Sequence, residues 1–159
     1  GSATPSTVTE KALPLPKGVR ADRMLVEKGE RRLTLFCQGV PLKSYRIALG
    51  HVPVGPKTMR GDGKTPEGIY QINGRNPHSR YYRALRISYP NDEDRRRAAQ
   101  QGVNPGGDIM IHGLVQDVAW IGEKHALFDW TQGCIAVTNE EIREIWRVVA
   151  DGTIVEIRP

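Results

Sequence analysis

Short alternating segments early in the chain constrain its fold most. Apolar and polar residues alternate over residues 23–28 and 31–37, which predicts two strands joined by a turn at residues 29–30. A second turn at residues 38–39 leads into a third predicted strand over residues 42–50. Three consecutive short strands form a meander, so the sequence predicts a mainly β fold with a few helices, of the α+β class.

Two helices are predicted from their capping residues. Asn91 precedes an acidic first turn and Gly102 follows residues 92–101, a pattern typical of a helix capped at both ends. Thr138 and Glu141 form the capping box of a second helix, in which apolar residues then recur at helical spacing. Further strands are predicted at residues 68–72, 108–111 and 153–157.

Length and composition indicate one domain. A chain of 159 residues can bury one good core. We assign residues 1–20 to a flexible leader that starts with an expression-tag remnant, and residues 21–159 to a single domain that is expected to be monomeric. No apolar run approaches the roughly 20 residues of a membrane helix, so no membrane span is predicted.

The net charge of +5 does not indicate a nucleic-acid partner. Proteins that bind nucleic acids usually cluster Lys and Arg with aromatic stacking positions, whereas the basic residues here are scattered. The densest run, residues 95–97, follows three acidic residues in a predicted helix and is best interpreted as a solvated face.

The cysteines and histidines predict neither a disulfide framework nor a metal site. Cys37 falls in an alternating strand, which favours a core position. The four histidines have neither the close spacing nor the cysteine neighbours of a zinc site. No Gly-rich phosphate loop with the required spacing is present, so no cofactor is predicted.

One cysteine and one histidine have the surroundings of a catalytic pair. His112 lies in an Ile-His-Gly segment at the end of a predicted apolar strand, and Cys134 lies in the Thr-Gln-Gly-Cys-Ile segment 131–135. An imidazole that takes the thiol proton makes cysteine a useful nucleophile at neutral pH. Gly133 allows the backbone to approach a substrate carbonyl closely. These residues predict a cysteine enzyme of the acyl-transfer type.

Together with the Gly-Asp-Gly-Lys-Thr-Pro-Glu-Gly segment 61–68, these motifs resemble the signature of the L,D-transpeptidase (YkuD-like) catalytic domain, in one unbroken order over residues 22–158. The resemblance implies a β-sandwich or barrel fold and a periplasmic, exported enzyme that acts on peptidoglycan stem peptides. Cys134 would form the thioester and His112 would be its base, oriented by the Gly113 carbonyl. The negative charge that develops on the substrate carbonyl oxygen needs N–H dipoles aimed at it, so the N–H groups of Gly133 and Cys134 are the candidate oxyanion donors.

The chain departs from the family pattern near the nucleophile. Gln132 and Ala136 replace residues that the family commonly uses, and the stretch between His112 and Thr131 is a few residues longer than is typical. The predicted substrate-binding residues are Trp130, Thr131, Gln132 and His125. For His125 the interpretation is an accessory acid or a carboxylate-recognition group, or else an ordinary loop residue.

These departures leave the reaction open. An L,D-transpeptidase would pass the thioester to an amine, whereas an amidase or carboxypeptidase of the same fold would pass it to water. Some similar members release a wall-anchored lipoprotein, which makes such a lipoprotein a second candidate partner. A peptidoglycan-binding module without activity is the alternative of another class. The Gly- and Pro-rich residues 50–66 are predicted to form a long loop beside the cleft, in which Asp62 and Lys64 either shape turns or act in the site.

Overall fold

The computed structural model describes residues 13–159, and its strands form one eight-stranded sheet. The strands are β1 (Ala21–Glu27), β2 (Arg32–Cys37), β3 (Val40–Arg46), β4 (Gly68–Ser79), β5 (Tyr82–Ile87), β6 (Met110–His112), β7 (Ile135–Ala136) and β8 (Val149–Arg158). The two α-helices are α1 (Asp92–Gln101) and α2 (Asn139–Val148). The mainly β prediction with a few helices is confirmed.

The spatial order of the strands is β3-β2-β1-β8-β4-β5-β6-β7. The β1–β8 and β6–β7 pairs are parallel and the other pairs are antiparallel. Residues that follow β3 close the sheet: Ala48 exchanges backbone hydrogen bonds of 3.1 and 3.0 Å with Ala136, and Leu49 O accepts from Thr131 N. The two ends of the sheet therefore meet, and the sheet curls around one core.

Helix α2 packs on the curled sheet through its apolar face. Ile142, Ile145 and Val148 are fully buried in the same cluster as the inward residues of the strands. Thr138 and Glu141 form the predicted capping box, which satisfies N–H groups at the start of the helix. This helix places its first residue, Asn139, beside the turn that follows β6: the Asn139 side-chain Oδ1 accepts from Leu114 N at 2.6 Å.

A 3₁₀ segment (Gln116–Leu127), broken at Gly122, lies between β6 and β7, in the stretch where one sequence-based interpretation of His125 was an ordinary loop residue. Most of the predicted leader, including the tag remnant, lies outside the described residues. Within the described part of it, Leu15 N–H donates to the carboxylate of Glu144 at 2.8 Å. No helix in residues 13–159 is long and apolar enough to cross a membrane.

Candidate active site

The parallel pairing of β6 with β7 brings His112 and Cys134 to neighbouring strands. Ile111 is in register with Ile135 and His112 with Ala136, and Cys134 lies immediately before β7. Side chains alternate along a strand, so a residue two positions before Ala136 faces the same side of the sheet as Ala136 and His112. The thiol and the imidazole therefore belong to one face of this pair of strands.

His112 is held as a neutral base. Its ring is 3% exposed, and Nδ1 lies 2.7 Å from the carbonyl oxygen of Gly113. Because a carbonyl oxygen only accepts, Nδ1 carries the proton and Nε2 keeps its lone pair. Burial lowers the pKa of His112 to about 4, against the smaller raising effect of the Gly113 carbonyl. At neutral pH the ring is therefore uncharged and ready to accept a proton at Nε2.

Gly113 is required by close packing at this turn. A Cβ on Gly113 would lie 2.4 Å from the Asn139 side-chain oxygen and 3.0 Å from the Tyr81 carbonyl oxygen. The Tyr81 ring stacks on the His112 ring, with centroids 4.3 Å apart and planes at 20°. Trp130 contacts the same imidazole at a centroid distance of 5.9 Å. These contacts fix the plane of the ring in addition to the Gly113 hydrogen bond.

Cys134 is a partly buried, protonated thiol in the resting structure. Its Sγ donates to the carbonyl oxygen of Asp108 over 3.4 Å. Burial raises the pKa of the Cys134 thiol, and the backbone N–H of Met110 only partly opposes this effect. The thiol and the neutral imidazole are thus both in their uncharged forms before a substrate arrives.

The loop that carries the thiol is shaped by Thr131. Its hydroxyl donates to the Cys134 carbonyl at 2.7 Å and accepts from Gly133 N at 3.1 Å. The Gly133 N–H, one of the two predicted oxyanion donors, is therefore engaged inside the loop in this structure. Gly133 has φ +141° and a Cβ there would lie 2.7 Å from Lys64 O, so its close approach is to the protein's own backbone. The oxyanion role of the Cys134 N–H stays a prediction.

The other predicted substrate-binding residues lie at different places. Gln132 lines a cavity next to Cys134, whereas Thr131 is buried and serves the loop. Trp130 is 36% exposed beside His112. Its indole N–H donates to His125 Nδ1 at 3.3 Å, so the neutral His125 ring carries its proton on Nε2. That buried Nε2 has no hydrogen-bond partner among residues 13–159.

The cavity beside the thiol has a volume of about 890 Å³. Its wall includes Cys134 and Gln132 at one end, the start of α1, and residues of the 57–61 and 104–109 loops. His112 is not part of this wall, which Cys134 reaches. In the described residues no group of three or more His, Cys, Asp or Glu side chains could hold a metal ion.

The sequence did not indicate the hydrogen bonds that hold the loop of residues 131–134 in place. Thr65 Oγ1 donates to the Gly133 carbonyl at 2.9 Å and accepts from Gly50 N at 3.0 Å. His51 Nδ1 lies 3.0 Å from the Thr131 carbonyl, which it can contact only as a donor. The signal for Thr65 in the sequence was its place in the 61–68 motif. Its partner Gly133 lies 68 positions further along the chain. The alternation pattern carries no information on such contacts.

Comparison with known proteins agrees with this fold and shows the family of the chain. The family model for the YkuD L,D-transpeptidase catalytic domain matches residues 21–157, and the chain belongs to that family. It is 35% identical over 133 residues to YafK of Escherichia coli K12, whose name carries a provisional L,D-transpeptidase assignment. That match covers 80% of this chain and 46% of YafK, so the chain spans about half the length of this relative.

Solved structures with the same fold include the helical cell shape determining protein Pgp2 of Campylobacter jejuni. The two share 29% identity with a TM-score of 0.68, over 89% of this chain and 48% of Pgp2. An L,D-transpeptidase from Xylanimonas cellulosilytica aligns with a TM-score of 0.58 over 92% of this chain and 65% of its own, at 15% identity. At that identity the likeness supports the fold alone.

Proposed function

We propose that this domain is a periplasmic cysteine acyl-transfer enzyme that acts on peptidoglycan stem peptides. The observation that carries the proposal is the position of His112, buried and hydrogen-bonded to the Gly113 carbonyl, on the strand next to β7, which directly follows the Cys134 thiol in the wall of a large cavity. Membership of the L,D-transpeptidase family supports a peptidoglycan substrate. Because the chain spans about half of its relatives, the activity of a whole protein is part of the proposal.

In the proposed reaction, His112 Nε2 takes the proton of the Cys134 thiol as Sγ attacks the carbonyl carbon of the third stem residue. The C–N bond then breaks, and His112 returns the proton to the leaving amine. The acyl group remains on Sγ as a thioester. Burial disfavours a thiolate on Cys134 and an imidazolium on His112. Proton transfer is therefore expected to occur together with the attack on the bound substrate, and not before the substrate binds.

Transpeptidation is the first candidate for the second half of the reaction. An amine of another stem attacks the thioester, His112 takes its proton, and the proton returns to Sγ when the new amide forms. Hydrolysis is the second candidate, in which water replaces the amine. Tyr81, Trp130 and the buried His125 cover the His112 side, which favours a small acceptor there. Release of a wall-anchored lipoprotein is one form of that hydrolysis.

The experiment that tests the proposal is incubation with purified sacculi, followed by mass spectrometry of the muropeptides. New dimers indicate transpeptidation, whereas loss of the terminal residue without new dimers, or loss of a lipoprotein remnant, indicates hydrolysis. Cys134→Ala is the matched control and should leave the profile unchanged. If the wild-type protein binds sacculi and also leaves the profile unchanged, the enzyme proposal fails and a binding module replaces it.

A further inference from the structure

The cavity beside Cys134 has a defined place along the substrate, given the proposed function on which this inference rests. His112 returns its proton to the leaving amine, so the leaving residue must lie on the His112 side of the thiol. The acyl part that stays on Cys134 then extends the other way. The Tyr81 and Trp130 rings pack against the imidazole, whereas the 890 Å³ cavity has Cys134 but not His112 in its wall, so this cavity is the open space available to the acyl part.

The donor part of a stem peptide is anionic. Its second residue, a D-glutamate linked through its side chain, keeps a free α-carboxylate, and a third residue such as meso-diaminopimelate keeps a second one. Four cations line the cavity: Lys57, Arg60, Arg86 and Arg95. Guanidinium groups bind carboxylates through two parallel hydrogen bonds, which makes arginine the natural partner for such groups.

Three of these four cations already have a carboxylate partner. Lys57 Nζ lies 2.9 Å from Asp62, and the Arg86 and Arg95 guanidinium groups each lie 3.3 Å from an aspartate. Within residues 13–159, Arg60 has no ion-pair partner, and its side chain is exposed in the cavity wall. Arg60 is thus the lining cation that has its full charge available for a ligand.

Hydrogen bonds fix the backbone of the loop that carries Arg60. Asp62 accepts from the N–H groups of Thr58, Met59 and Lys64 at 2.9–3.1 Å, and these bonds and Lys57 lower the pKa of its carboxyl despite burial. The Arg60 N–H donates to Asn104 O at 2.7 Å. A Cβ on Gly106 would lie 3.1 Å from Arg60 Cα, so the two loops are in close contact. The loop presents Arg60 on a rigid base.

We propose that Arg60 is a specificity-determining residue that binds a carboxylate of the donor stem peptide in this cavity. Its guanidinium group selects donors with a free carboxylate over amidated ones. Asp62 acts through Arg60 as a positioning residue, because it shapes the loop that carries the guanidinium group. The Gly-Asp-Gly part of the 61–68 motif then serves donor recognition rather than the chemical step.

The test measures peptide binding by calorimetry in the Cys134→Ala background, so that binding is read without turnover. The ligands are a tetrapeptide with free carboxylates, one amidated at the second residue and one amidated at the third. When Arg60 is intact, we expect one of the two amidated peptides to bind roughly tenfold to a hundredfold more weakly than the peptide with free carboxylates. The position of that amide identifies the carboxylate that Arg60 binds. Arg60→Gln should weaken binding of the peptide with free carboxylates by the same factor and abolish the preference for it over the amidated peptide. Arg60→Lys should restore part of this preference.

Arg96→Gln is the matched control, because Arg96 is an exposed arginine of α1 that is not part of the cavity wall. It should behave like the Arg60-intact protein. Unchanged discrimination in Arg60→Gln, or tight binding of all three peptides without preference, would overturn the Arg60 assignment. Discriminating binding together with an inactive wild-type enzyme on sacculi would instead overturn the proposed function and leave Arg60 as a binding residue.

Discussion

Burial has opposite effects on the two proposed catalytic side chains and keeps both uncharged. It raises the pKa of the Cys134 thiol and lowers that of His112 to about 4. A thiolate–imidazolium pair needs the reverse order of the two pKa values. The free protein is therefore expected to hold a neutral thiol and a neutral imidazole, unlike cysteine enzymes that store a preformed ion pair.

The first prediction follows from this neutral pair. In the Cys37→Ala background, alkylation of Cys134 by iodoacetamide should accelerate steadily with pH and continue to rise through the ordinary thiol pKa of 9.0. The rate is measured by intact mass at a series of pH values. Cys134→Ala should remain unlabelled. A rate that reaches its plateau below pH 7 would mean that a thiolate–imidazolium pair exists in the free protein.

A second prediction concerns the base. His112→Ala should retain binding of a tetrapeptide while the single-turnover rate falls by roughly 10²–10⁴, the usual scale of general acid–base assistance. His78→Ala, which changes an exposed histidine, should keep the wild-type rate. The measurement is thioester formation by rapid quench and mass spectrometry. A rate within a few-fold of wild type in His112→Ala would assign the proton transfer to another group.

At the scale of elements, His51 and Thr65 connect the long loop of residues 50–66 to the loop that carries Cys134, and Thr65 makes the contact nearest to the thiol. Thr65 is fully buried, and its Oγ1 joins Gly50 N to the Gly133 carbonyl. Because Gly133 precedes Cys134, this hydroxyl connects the cavity wall to the position of the thiol. The loop that the sequence predicted beside the cleft therefore both lines the cavity and anchors the segment that carries the thiol.

Thr65→Val, which keeps the side-chain shape, tests this connection. The change leaves the buried Gly50 N–H unpaired, so we expect a loss of about 1–3 kcal/mol in the free energy of unfolding. It should also slow thioester formation roughly tenfold to a hundredfold, because the Cys134 loop loses its support. Thr34→Val is the control: it removes a 2.8 Å hydroxyl contact with Ser44 on distant strands and should cost stability only. Equal rates in the two variants would limit Thr65 to a role in folding.

The elements with local end signals were predictable from the sequence. Helix α1 has the predicted Asn91 cap and the Gly102 end in the left-handed conformation, because both depend on neighbouring residues alone. Strand β5 was missed: Ala84 and Leu85 are both buried, so the pattern does not alternate. Strand β8 starts at Val149, directly after α2, and not at Thr153 as predicted.

The candidate site was predictable to a similar extent. The motifs pointed to His112 and Cys134, and the structure places His112 on β6 and Cys134 directly before the adjacent β7. The sequence could not indicate that the Asp108 carbonyl faces the thiol, or that Trp130 donates to His125, because such contacts depend on how the curled sheet brings separate segments together. It also gave no means to distinguish Arg60, the unpaired cation of the cavity wall, from its paired neighbours.

At the scale of the whole molecule, closure of the sheet by Ala48 and Ala136 excludes water from one side of the site. Two histidines next to this closure, His112 and His125, are buried without charge, and each has a pKa of about 4. For His125 burial has the largest effect, and the neighbouring His112 adds to it. The energetic consequence is a dependence of folding stability on pH, since both rings gain protons on unfolding.

The last prediction is the sign and size of this dependence. Each histidine has an ordinary pKa of 6.5 when unfolded, so the unfolded chain binds more protons than the folded one between about pH 6.5 and pH 4. Stability should therefore fall as the pH is lowered through this window, and His125 should contribute up to about 1.4 kcal/mol per pH unit. Urea unfolding from pH 7 to pH 5 should show a shallower pH dependence for His125→Phe than for wild type. His78→Phe, at an exposed position, should keep the wild-type slope. A wild-type slope in His125→Phe would show that this ring is protonated in the folded protein.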